Sequence, residues 1–161
     1  MAEDWAKKYI EEHGRKRAER EREARDAQAR QTHAEAGGSG KFQQIRKRVA
    51  QDVRALNGDP DFRSLEYDGT SGREFTVISR GAPRVVLRVR LNGSMVSCEY
   101  LLSPKEGSNE RDKSLSKTLR ICSDVEGHIT VQESGSGKAF AYDSDVSEFL
   151  LRPMLDHITA H

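Results

Sequence analysis

The stretch "RVVLRVRLNGSMVSCEYLL", Arg84–Leu102, decides the fold. Apolar and polar residues alternate on both sides of Asn92-Gly93, the preferred pair for a two-residue type I′ hairpin turn. With those two residues as the turn, Val85 stands opposite Tyr100 and Leu91 opposite Ser94. Val85, Leu87, Val89 and Leu91 then share a face with Tyr100, Cys98 and Val96. Arg84, Arg88 and Arg90 fall on the other face, opposite Leu101, Ser97 and Met95. The turn and the alternation agree, so two independent signals predict one hairpin.

Working outward, the same period of two recurs. Strands are expected at 62–67 and 73–79, around the turn "DGTSG". A polar loop, "SPKEGSNERDKS" (103–114), follows the hairpin. Further strands are expected at 115–122, 128–133 and 138–142, with turns at "DVEG" and "SGSG". In the first of these, Ile121 points inward and Cys122 outward.

The period changes to that of a helix on either side of the strands. In "KFQQIRKRVAQDVRAL" (41–56), Phe42, Ile45, Val49, Val53 and Leu56 recur at steps of three and four. Asn57-Gly58 and Pro60 close this helix. A second helix is expected at 145–158, with a capping box from Asp145 to Glu148. Its apolar face is Val146, Phe149, Leu150, Met154 and Ile158, and Pro153 predicts a kink. The expected fold is α+β. An antiparallel meander of six or seven strands, able to curl into a half-barrel, has both helices packed on one face.

The first 40 residues differ in kind. Ala, Glu, Arg, Lys and Gln dominate, all good helix formers. Opposite charges fall four apart at Glu11–Arg15, Glu12–Lys16, Glu21–Arg25, Arg22–Asp26 and Asp26–Arg30. No apolar heptad seam is sustained, so a coiled coil has little support here. The reading is a charged, partly disordered helical arm over 1–36, a flexible Gly/Ser joint at 37–40, and one domain over 41–161.

The chain has 161 residues and a net charge of +1, so neither nucleic acid nor a membrane surface is favoured globally. Locally, Lys41, Arg46, Lys47, Arg48 and Arg54 outweigh Asp52. Arg73, Arg80, Arg84, Arg88 and Arg90 outweigh Glu74 in the same way. No apolar run is long enough to span a membrane, and no secretory signal is visible at the N-terminus. Two cysteines without metal-type spacing suit a cytoplasmic protein with reduced thiols.

No catalytic set emerges. "GSGK" occurs at Gly38–Lys41 and at Gly135–Lys138. A phosphate loop needs G-x-x-x-x-G-K-[ST] between a strand and a helix. Glu35 and Gln132 occupy the leading glycine positions, and Phe42 and Ala139 follow the lysines. The two copies therefore read as a linker and a hairpin turn. His157 and His161 have the i, i+4 spacing of metal ligands, but no third ligand is evident. Asp59, Asp61, Glu66 and Asp68 lack calcium-loop spacing, and Asp59 before Pro60 reads as turn chemistry. No cofactor or metal is expected.

The leading expectation is a non-catalytic interaction module that binds a partner protein or a second copy. Trp5, Tyr9 and Ile10 make its contact patch on the arm. One alternative is polyanion or nucleic-acid binding through Arg73, Arg80, Arg84, Arg88 and Arg90 with Arg46, Lys47 and Arg48. That arginine face lacks exposed aromatics for base stacking, which disfavours RNA. Another alternative is a small-ligand carrier with a cavity between sheet and helices.

Overall fold

The computed structural model describes residues 2–81, 83–104, 107 and 109–160. A single helix α1, Ala2–Leu56, opens the chain. A short 3-10 turn at Pro60–Phe62 leads into strands β1 (Leu65–Ser71), β2 (Glu74–Ser79), β3 (Val85–Asn92) and β4 (Met95–Leu102). Strands β5 (Lys113–Ser123), β6 (Ile129–Glu133) and β7 (Ala139–Phe140) follow, and helix α2 (Asp143–Thr159) closes the fold. The seven strands form one antiparallel sheet in sequence order, curled into a half-barrel.

Both helices lie on the inner face of the sheet. From α1, Phe42, Ile45, Val49 and Val53 are buried against Phe75, Val77, Leu87, Val89, Leu119 and Ile121. From α2, Val146, Leu150, Leu151 and Met154 enter the same core. The aromatic rings of Phe42 and Phe75 are 5.7 Å apart, and those of Phe75 and Tyr67 are 5.6 Å apart. Tyr100 spans the core and donates its hydroxyl to the Leu150 carbonyl at 2.6 Å. A buried phenol requires such a partner.

The expected break at 37–40 is corrected, because α1 runs through Gly37-Gly38-Ser39-Gly40 as helix. The glycines serve close approach at this point. A Cβ on Gly37 would lie 2.7 Å from Ile129 Cδ1, and one on Gly38 would lie 3.2 Å from the Gly93 carbonyl oxygen. The buried face of the helix already begins at Ala34, ahead of the glycines. Sequence-local reading saw weak helix formers; the fold needs small residues there, and packing outweighs propensity.

The hairpin register is also corrected. Asn92 pairs with Met95 and Val85 with Leu102, so the turn residues are Gly93-Ser94. Gly93 has φ +63° and no other residue type in the described chain has positive φ. A glycine alone in that region at the first central position fits a type II′ turn, whereas type I′ would require it of Ser94 too. The shift preserves parity. Val85, Leu87, Val89, Leu91, Val96, Cys98 and Tyr100 all face the core, as the alternation predicts.

Smaller differences follow local chemistry. β1 runs to Ser71 with an irregularity between Asp68 and Ser71, so the first turn is Gly72-Arg73. α2 begins at Asp143, and Asp145 sits at the third helical position, accepting from the Tyr142 N–H at 3.2 Å. The helix continues through Pro153 to Thr159.

Candidate functional site

The projecting half of α1 is the part of the chain least explained by the fold. Residues 7–25 are all exposed, whereas Ala27, Arg30 and Gln31 line a groove with Ser94, Met95 and Arg120, and Ala34 is buried. At 1.5 Å per residue, Trp5 stands about 44 Å along the axis from Ala34. Trp5, Tyr9 and Ile10 are 66%, 66% and 69% exposed. Trp5 and Tyr9 lie one turn apart on one side of the helix, while Ile10 points elsewhere. A continuous helix holds these side chains away from its own domain.

The arm's charges are also open. Among the described residues, none of the expected i, i+4 carboxylate–cation pairs of the arm closes within 4.0 Å. Arg17 instead approaches His13 Nε2 at 3.2 Å, and Arg25 donates to the Glu21 carbonyl at 3.4 Å. Long side chains on an exposed helix gain little from such pairs and stay hydrated.

The cationic residues fall into two groups on different sides of the molecule. Arg88 and Arg90 project from the outer face of β3, and both reach Glu74 at 3.3 Å. Glu99 stands opposite Arg88 in the register. Arg80 pairs with Glu66 at 2.9 Å, and Arg73 and Arg84 are exposed in the connections before and after β2. Arg46, Lys47 and Arg48 belong to α1, beneath the inner face. Arg46 donates to the Tyr67 hydroxyl at 3.1 Å and Arg48 pairs with Asp52 at 3.2 Å. The sheet therefore separates the two groups, and acidic neighbours offset much of the outer stripe.

An open groove of about 620 Å³ runs between α1 and α2, with Leu56, Leu151 and Leu155 among its lining. Buried Ser147 donates to Asp52 at 2.6 Å at its side. Because Arg48 also holds Asp52, that carboxylate is occupied on both sides and is a poor general base. Nearby, Lys41 pairs with Asp143 at 2.6 Å, which ties α1 to the first turn of α2. Neither pair was legible in sequence, since each joins residues about a hundred positions apart.

Asp124, Glu126 and His128 bring three ligand atoms within 4.8 Å of one another in the β5–β6 turn. All three are exposed. The His128 N–H donates to Asp124 at 2.8 Å, and this bond is the main cause holding the Asp124 carboxyl below its usual range. The bonds serve the turn. His157 Nε2 donates to the Ser103 carbonyl at 2.8 Å, and His161 lies outside the described residues. Asp59 accepts from the Asp61 N–H at 2.9 Å, the turn role expected of it.

The GSGK copies serve mechanical roles. At 38–41 the backbone N–H groups lie within a helix and are committed to carbonyls one turn back, so they cannot cradle a phosphate. At 134–137 the chain makes the β6–β7 turn, with Gly137 at φ +71° and Glu133 N–H donating to the Lys138 carbonyl at 2.8 Å.

The two thiols are in different environments. Burial pushes Cys98 up to about 12, with Lys117 opposing weakly, while Cys122 is half-exposed. Thiolate is the reactive form. Cys98 should therefore react with iodoacetamide at least a hundredfold more slowly than Cys122 in the native protein, by intact-mass spectrometry. Equal rates would show that the core opens readily.

Among the described residues, no helix is long and apolar enough to cross a membrane. No family model, curated protein or solved structure matches the chain, so the reading of its site rests on the arm and the surfaces described above.

Proposed function

We propose that the chain is a non-catalytic interaction module that presents a helical arm to a partner protein or to a second copy of itself. One observation carries this reading: a single helix places exposed Trp5 and Tyr9 about 44 and 38 Å along its axis from Ala34, the first buried residue of α1. An exposed Trp–Tyr pair at helical spacing is the kind of anchor that fills an apolar groove. The domain serves as the base that fixes the arm's direction. A cytoplasmic setting accompanies the reading, because both thiols are free.

Binding of a polyanion has less support, since Arg88, Arg90 and Arg80 are drawn to Glu74 and Glu66. A ligand carrier also has less, since Phe42, Ile45, Tyr100 and Leu150 fill the space between helices and sheet.

The test uses the full chain with Trp5→Ala and Tyr9→Ala together. Proteins co-purifying with the wild type are identified, purified and titrated against both forms. The double substitution should raise Kd at least tenfold without altering the circular dichroism spectrum. Equal Kd for every recovered partner, with unchanged oligomeric mass, would remove the arm from the function.

A further inference from the structure

We infer that the arm also pairs with the arm of a second copy, antiparallel and centred on Gly14; this rests on the reading of the arm as an interaction element. Gly14 is the starting point. Glycine is among the weakest helix formers, yet it sits in the middle of an exposed helix. A Cβ there would meet nothing within 4 Å, so the single chain offers no packing reason for it. A close crossing of two helices would supply one.

The sequence around Gly14 is self-complementary under reversal. A two-fold axis at Gly14 sets Lys7 opposite Glu21, Glu11 opposite Arg17 and Ile10 opposite Ala18. At about 100° per residue, Lys7, Ile10, Gly14, Arg17 and Glu21 fall within a stripe about 80° wide, with Glu11 and Ala18 along one margin. The like-charged match, Lys8 with Arg20, points away from that stripe. A parallel, in-register pair would instead set each charge against its own copy. Self-complementarity about one axis specifies a second copy of this chain rather than a foreign helix. Among the described residues, none of these charges has an ion-pair partner within 4.0 Å, and Arg17 meets only the His13 ring.

The domains do not obstruct this arrangement. Gly14 stands about 30 Å from Ala34 along the axis, and the partner's arm tip comes level with Asp26, about 12 Å short of Ala34 and on a different side of the helix from Ala27, where α1 first borders the sheet. Two domains would sit at opposite ends of the paired arms. The stripe lies roughly a quarter-turn from the face that packs on the sheet. Trp5 and Tyr9 stay outside the seam and remain open to a further partner.

Sedimentation equilibrium of the full chain over a range of concentrations tests the pairing. A reversible dimer is expected, weakening as salt rises because its ion pairs are exposed. Lys7→Glu should weaken it at least tenfold, and Lys7→Glu with Glu21→Lys should restore it to within threefold. Gly14→Leu should weaken it at least tenfold while helicity stays level or rises, which separates lost pairing from lost helix. Lys8→Glu should leave it unchanged. A monomer at every concentration overturns the inference, as does a dimer indifferent to Lys7→Glu and Gly14→Leu. Self-association by a route insensitive to these changes but lost with Trp5→Ala and Tyr9→Ala would overturn only this seam and leave the arm's role standing.

Discussion

Phe42→Ala is expected to lower the unfolding free energy by about 3–5 kcal/mol, the range for truncating a buried Phe. Phe42 is fully buried, and its ring meets Phe75 on the inner face of the sheet. The substitution removes apolar contact area and leaves a cavity lined by Phe75 and its neighbours. A rigid helix against a hydrogen-bonded sheet cannot collapse far to fill it. Domains are typically stable by only about 5–15 kcal/mol, so this one change takes a large share. For a chain of this size the midpoint of thermal unfolding should fall by roughly 6–20 °C. Trp5→Ala is the matched control, since it removes a larger ring from solvent and should move stability by less than about 0.5 kcal/mol. If the two substitutions cost the same, Phe42 is not in the core as described.

That contrast was legible in the sequence. Phe42, Ile45, Val49 and Val53 are apolar at helical spacing, whereas Trp5 and Tyr9 stand among charges with no stripe to join. The inward set of β3 and β4 was legible for a related reason. Side chains alternate with period two, so a turn misplaced by one residue on each strand leaves every side chain on its face. The turn itself was misread because Asn-Gly is a local signal, and the chain used Gly-Ser with glycine alone at positive φ. Contacts such as Ser147–Asp52 and Lys41–Asp143 carry no local signature, since neither residue type nor spacing distinguishes them from solvated pairs.

The candidate site was legible in part. Trp5, Tyr9 and Ile10 could be picked out as apolar residues without a core. Their distance from the domain could not, because it depends on whether the helix survives Gly37–Gly40. A flexible joint would let the arm fold back onto its own domain. A continuous helix removes that option and gives the patch a direction.

Opposite outcomes are expected within this one glycine-rich run. Gly40→Ala should stabilise the chain by about 0.5–1 kcal/mol, because a Cβ there meets nothing within 4 Å and alanine is the better helix former. Gly38→Leu brings the same gain in propensity but should be destabilising by about 1–3 kcal/mol. Its Cβ would stand 3.2 Å from the Gly93 carbonyl oxygen, and the rest of the side chain has no room. The obstructing atom is backbone at the tip of the β3–β4 hairpin, held by the ladder below it, and cannot rotate aside as Ile129 could for a substitution at Gly37. Thermal unfolding of the two variants decides between the accounts of this segment. If residues 37–40 were a joint, leucine at 38 and alanine at 40 would each stiffen it and shift the midpoint in the same direction. If they are a helix pressed against a hairpin, the shifts have opposite signs, and the sign at Gly38 reports directly on the contact that sets where the arm leaves the domain.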